Sequence, residues 1–104
     1  MPSHPKGPMG LSYSEPIQFD AQGRATVDKT VPSIGIMVNI RGWIEGPEAV
    51  YDILLESPGR HEWRGIGPEQ EIAREIRLSW GGTKIKAVIV SSKPNTGATF
   101  HLTA

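Results

Sequence analysis

Residues 75–90 read EIRLSWGGTKIKAVIV, and the conformation of this stretch decides the fold. With PEQEIAR (68–74) before it, two readings compete. As a helix, Pro68 takes the first helical position, acids fill the first turn and Gly81 stops it. Ile72, Ile76 and Trp80 then share a stripe, but Leu78 points away from them. As a strand, Ile72, Ile76, Leu78 and Trp80 lie on one face, with Arg74 the exception. TKIKAVIV (83–90) is a strand by content, and Gly81-Gly82 suits a two-residue hairpin loop. Folding there pairs Trp80 with Thr83, Leu78 with Ile85 and Ile76 with Ala87. Apolar meets apolar at successive inward positions, so the strand reading is adopted. The same register sets Arg77 opposite Lys86 and Ser79 opposite Lys84 on the outward side. Facing like charges are unfavourable, and Glu75, diagonal to Lys86, offsets part of this. The surface is either a solvated face whose lysines discourage edge pairing or a contact for an anion or acidic partner.

Upstream, SIGIMVNIRGWI (33–44) places Ile34, Ile36, Val38 and Ile40 on one face and Met37, Asn39 and Arg41 on the other. Gly46-Pro47 interrupts it. VYDILLES (50–57) puts Tyr51, Ile53 and Leu55 on one side and Asp52 and Glu56 on the other, then Pro58-Gly59 turns the chain. PIQFD (16–20) and ATVDKTV (25–31), joined through Gly23, read as a first hairpin with Ile17, Phe19, Val27 and Val31 inward. Residues 1–15 hold few apolar side chains and read as a flexible arm ahead of a single domain, 16–104. TFHLT (99–103) adds a final strand with Phe100 and Leu102 on one face. The expectation is an all-β chain: a two-layer antiparallel β-sandwich, jelly-roll-like, of seven or eight short strands.

Composition agrees. The 104 residues suit one domain, and 12 Gly with 9 Pro indicate frequent turns. Eleven basic residues against eleven acidic ones leave no net charge to drive non-specific nucleic-acid binding. A local basic patch stays compatible with that balance. There is no cysteine, so disulfides, thiolate metal sites and cysteine nucleophiles are excluded. No apolar run has the length of a membrane span, and the first residues lack the apolar segment of a signal peptide. Neither nucleic acid nor membrane is an expected partner.

The order KTVPSIGIMVNI, YDILLESPG, EIRLSWGGTKIKAVIVSS, TGATFHLT resembles the jelly-roll accessory domains of bacterial secreted peptidases, the pre-peptidase C-terminal type. The resemblance covers residues 29–103. It rests on Asp52-Ile53-Leu54-Leu55, Ser57-Pro58-Gly59, Gly81-Gly82-Thr83, and Gly97 with Phe100 and Leu102. Lys84 departs from it, standing where that family usually has an aromatic residue. The resemblance implies a non-catalytic accessory module.

Chemistry-bearing residues gather most densely in RHEWRGIGPEQE (60–71). His61, Glu62 and Arg64 offer base, acid and anion clamp, and Trp63 a stacking surface. In a strand, however, His61 and Trp63 share one face while Glu62 and Arg64 share the other. They cannot converge on one substrate, and packing or rim contact is the expected role. Trp43 has the parity of Met37 and Arg41. Either a bulge at Gly42 turns it inward or it is exposed and meets a partner. His4, His61 and His101 have no metal-ligand spacing; a calcium site could arise only from separate loops through Glu45, Glu48 or Asp52. Phosphate loops and a nucleophile elbow are absent.

No enzyme and no cofactor are therefore expected. The leading reading is a binding or accessory module whose protein or carbohydrate partner meets Trp43, His61, Trp63, Arg64, Arg77, Lys84 and Lys86. The alternative is a structural subunit, of a virion or appendage, forming a homo-oligomer through sandwich edges and the arm.

Overall fold

The computed structural model describes residues 12–104. Period-two alternation carries through to eight strands: β1 (Ser12–Gln18), β2 (Arg24–Val31), β3 (Met37–Glu45), β4 (Tyr51–Ser57), β5 (His61–Ile66), β6 (Ile72–Arg77), β7 (Thr83–Ser91) and β8 (Gly97–Thr103). They form two four-stranded antiparallel sheets, ordered β1-β8-β3-β6 and β2-β7-β4-β5. That order is the jelly roll. No helix occurs among the described residues, and Pro68 sits in a turn before β6. Inward positions from both sheets make one core, with Phe19, Ile44, Tyr51, Ile53, Ile85, Ile89 and Phe100 almost wholly enclosed.

The expected hairpin at Gly81-Gly82 does not form. β6 pairs with β3, Met37 facing Arg77 and Val38 facing Ile76. β7 pairs with β2 and β4, Val27 facing Ala87 and Ile53 facing Ile89. Ile76, Leu78, Ile85 and Ala87 are all buried as expected, but they enter the core from opposite sheets. The reason lies at Leu78. Its N–H donates to the Ile36 carbonyl at 2.8 Å, and the Ser79 N–H then turns to the Thr83 hydroxyl at 2.8 Å. The chain crosses between layers there, so alternation stops and Trp80 points outward, 79% exposed.

The pairing of β1 with β2 is corrected in the same way. β1 joins β8, Ile17 facing Ala98, whereas β2 joins β7. Gly23 does make the turn, with φ +76°. Of the expected arm, Ser12 to Glu15 belong to β1, and residues 1–11 lie outside the described residues. Ile34 precedes β3 and is exposed rather than inward. The feared like-charge pair is absent too: Arg77 faces Met37, and Lys86 faces Asp28.

Candidate functional site

Segments of β4 (53–55) and β7 (87–90) are apolar on both faces, and this builds the most developed surface feature. On the outer side of the β2-β7-β4-β5 sheet, Arg24, Val90 and Asp52 stand in one row across three strands. Thr26, Val88, Leu54 and Glu62 form the next row across all four. Leu54, Val88 and Val90 are half-buried and make an aliphatic floor between charged walls. The resulting groove, about 230 Å³, is bordered by Arg24, Asp52, Glu62 and Arg64. It runs into a hollow of about 340 Å³ beside Asp20, Gln22, Arg24 and Val90.

Its charges are arranged unequally. The Arg64 Nε donates to Glu62 Oε1 at 3.0 Å. That bond, then the Glu62 charge and more weakly Asp52, holds the guanidinium more firmly protonated than usual. Asp52 Oδ1 accepts the Gly65 N–H at 3.0 Å, where the β4–β5 register slips. Among the described residues the Arg24 guanidinium has no partner, while its backbone N–H donates to Asp20 Oδ1 at 2.9 Å. One wall is thus a self-paired Glu62–Arg64 unit and the other a free cation.

The residues expected from sequence divide among separate surfaces. Arg64 lines the groove. Lys84 and Lys86 lie on the same sheet nearer its end, Lys84 Nζ being 3.6 Å from Asp28 Oδ1. Arg77 belongs to the other sheet. His61 and Trp63 share the inward side of β5, their ring centroids 6.1 Å apart, and Trp63 packs against the core. The Arg74 guanidinium stands 5.8 Å from the Trp63 ring centre. The void beneath Trp63, next to Ile40, Ile53 and Phe100, is about 10 Å³, too small for more than one water.

Trp43 takes neither expected course. The β3 register is continuous through Gly42 on both sides, so no bulge exists there. Trp43 keeps its outward parity, yet is only 8% exposed. It stacks on His101, whose Nδ1 lies 2.6 Å from Ser14 Oγ and whose Nε2 lies 3.0 Å from Glu45 Oε1. A serine–histidine–carboxylate chain has the polarity of a nucleophile relay. β8 is paired on both sides, so its own N–H groups serve the sheet. Among the described residues no three His, Asp or Glu side chains gather to hold a metal ion.

Sequence reasoning set Glu62 on the face of Arg64 and weighed Asp52 only as a calcium ligand, and it missed Arg24, Leu54, Val88 and Val90. A signal for them existed: ILL (53–55) and AVIV (87–90) are apolar at every position, which a strand with one wet face does not need. Ser14, Glu45 and His101 carried no such signal, being 87 and 56 residues apart. No protein-family model matches the chain, and no curated protein or solved structure matches it either.

Proposed function

We propose that the chain is a non-catalytic binding module that receives an extended segment of a protein partner on the outer face of the β2-β7-β4-β5 sheet. The observation carrying this reading is the aliphatic floor of Leu54, Val88 and Val90 between Arg24 and the Glu62–Arg64 pair. An extended peptide presents side chains alternately, so apolar groups can meet the floor while a carboxylate meets Arg24. A glycan fits less well, because sugar faces stack on aromatic rings and no aromatic residue lines the groove.

The test is selection from a displayed random-peptide library, followed by mapping the enriched peptide through amide shift changes. Peptides with aliphatic residues at alternate positions and an acidic residue are expected. Shifts should centre on Arg24, Leu54, Val88 and Val90, and Val88→Glu should abolish binding while the domain stays folded. Enrichment of nothing, or shifts confined to another surface, would overturn the proposal.

A further inference from the structure

The opposite properties of the two ends of the sandwich point to a second surface. At one end lie the β2–β3 connection (32–36), the β4–β5 turn (58–60) and the β6–β7 connection (78–82). Trp80 stands there 79% exposed, with Ile34 44% and Met37 47% exposed. These are three of the four large exposed apolar side chains among the described residues, so the apolar exposure is gathered at one tip.

The tip is held in place. Ser33 Oγ donates to the Ser79 carbonyl at 2.6 Å and lies 2.7 Å from Thr83 Oγ1. The Gly81 N–H donates to the Ser33 carbonyl at 3.1 Å. The Trp80 indole rests on Gly35, where an added Cβ would come 2.6 Å from its Nε1. Two hydrogen-bonded loops therefore present an aromatic ring to solvent with its orientation fixed by backbone beneath it. Ordering it on binding costs little.

Charge distinguishes this end further. Neither 32–36 nor 78–82 contains a charged residue, and 58–60 adds only Arg60. Just behind stand Lys29, Arg77, Lys84 and Lys86, against Asp28, Glu56 and Glu75; Lys84 and Asp28 offset each other, which leaves Lys29, Arg77 and Lys86 against Glu56 and Glu75. The four connections at the far end carry Asp20, Glu48, Glu69 and Glu71 against Lys93 alone. A chain of zero net charge is thus polarised along its length, positive around the apolar tip and negative away from it.

We propose that this end docks on an anionic lipid bilayer, with Trp80 and Ile34 entering the headgroup region and the cationic collar meeting lipid phosphates. Tryptophan settles at the level of lipid headgroups. Cations held within a Debye length of an anionic leaflet add attraction, and their long stems let them reach back past an inserted tip. Charge separation along the molecule orients it tip-first toward any extended negative surface. A protein pocket for Trp80 would need no such polarity. No membrane-spanning element is involved, and the groove on the sheet face is a separate surface.

Co-sedimentation with phosphatidylcholine vesicles, with and without phosphatidylserine, tests this, together with quenching by brominated acyl chains. Binding is expected only with phosphatidylserine, falling steeply with added salt. Trp80→Ala should weaken it on the order of tenfold or more and remove most of the acyl-chain quenching. Arg60→Glu with Arg77→Glu should weaken it comparably. Because all three side chains are exposed, an unchanged melting curve will show that the variants are folded. Absence of binding to phosphatidylserine vesicles, binding untouched by Trp80→Ala, or full displacement by soluble glycerophosphoserine would overturn the proposal.

Discussion

Trp43 and His101 face each other directly across β3 and β8, with ring centroids 5.0 Å apart and planes inclined by 17°. The histidine is fixed from both sides by Ser14 and Glu45, so it acts as a pinned cover over an indole that would otherwise meet water. His101→Ala should cost about 1 kcal/mol of stability, the scale of a stacked aromatic pair, and should raise quenching of Trp43 by acrylamide. His101→Phe keeps the ring while losing both polar contacts. It should retain most of the shielding, and equal exposure of Trp43 in the two variants would show that the hydrogen bonds, not the stack, protect it.

Tyr51 gives the stability an alkaline limb. Its ring is fully enclosed and its hydroxyl donates to the Pro47 carbonyl at 2.7 Å. Burial first, and the Glu48 charge second, push its pKa above the ordinary tyrosine value. A raised pKa means stability that is fully present below the unfolded value, about pH 10, and lost as pH rises through the folded one. Tyr51→Phe should cost about 1 kcal/mol near neutrality and flatten the alkaline loss in urea midpoints. Part of the loss should persist through Tyr13, also raised by burial and then by Glu15. An unaltered alkaline limb in the variant would refute the assignment.

Gly23 is required by both conformation and space. Its φ is +76°, a Cβ there would collide with the Ser91 carbonyl, and its own carbonyl accepts the Ser91 N–H at 2.7 Å. Gly23→Ala should destabilise by at least about 1–2 kcal/mol, the cost of a left-handed backbone alone. A chemical-denaturation midpoint within error of the parent would contradict the turn.

Leu78 and Ile85 are both buried, and truncating either to Ala should cost roughly 2–5 kcal/mol. Lys84→Ala breaks the ion pair with Asp28, but both partners are largely exposed, so the loss should stay below about 1 kcal/mol. A mild Leu78→Ala beside a damaging Lys84→Ala would mean that the faces are inverted.

Strand existence was legible because alternation is local. Tyr51, Ile53 and Leu55, or Ile85, Ala87 and Ile89, announce their buried side without reference to any other segment. Pairing was not legible, and the reason is topological. Of the seven connections only β4 to β5 joins neighbours within one sheet, so reading Gly81-Gly82 or Gly23 as hairpin loops assigned the wrong partners to correctly identified strands. Trp80 failed for a related reason: parity holds only while the strand lasts, and β6 ends at Arg77. For the groove, only Arg64 and its same-face neighbour Glu62 were anticipated together. The other walls and the floor come from outward positions of β2, β4 and β7 that become neighbours only once the sheet order is known.

The pairing of β1 with β8 has a consequence for how the domain comes into being. Ser12 lies opposite Thr103 and Gln18 opposite Gly97, so β1 cannot find its place until β8 has been synthesised. β8 also bridges β1 to β3, and without it one sheet falls into a single edge strand and an isolated β3–β6 pair. Such long-range closure makes folding slow relative to helical chains of similar size. During translation the first strand must wait unpaired for the eighth. Assembly of the jelly roll therefore waits on the synthesis of β8, and the strand that would aggregate if that wait were prolonged is β1, the first of the eight to be made.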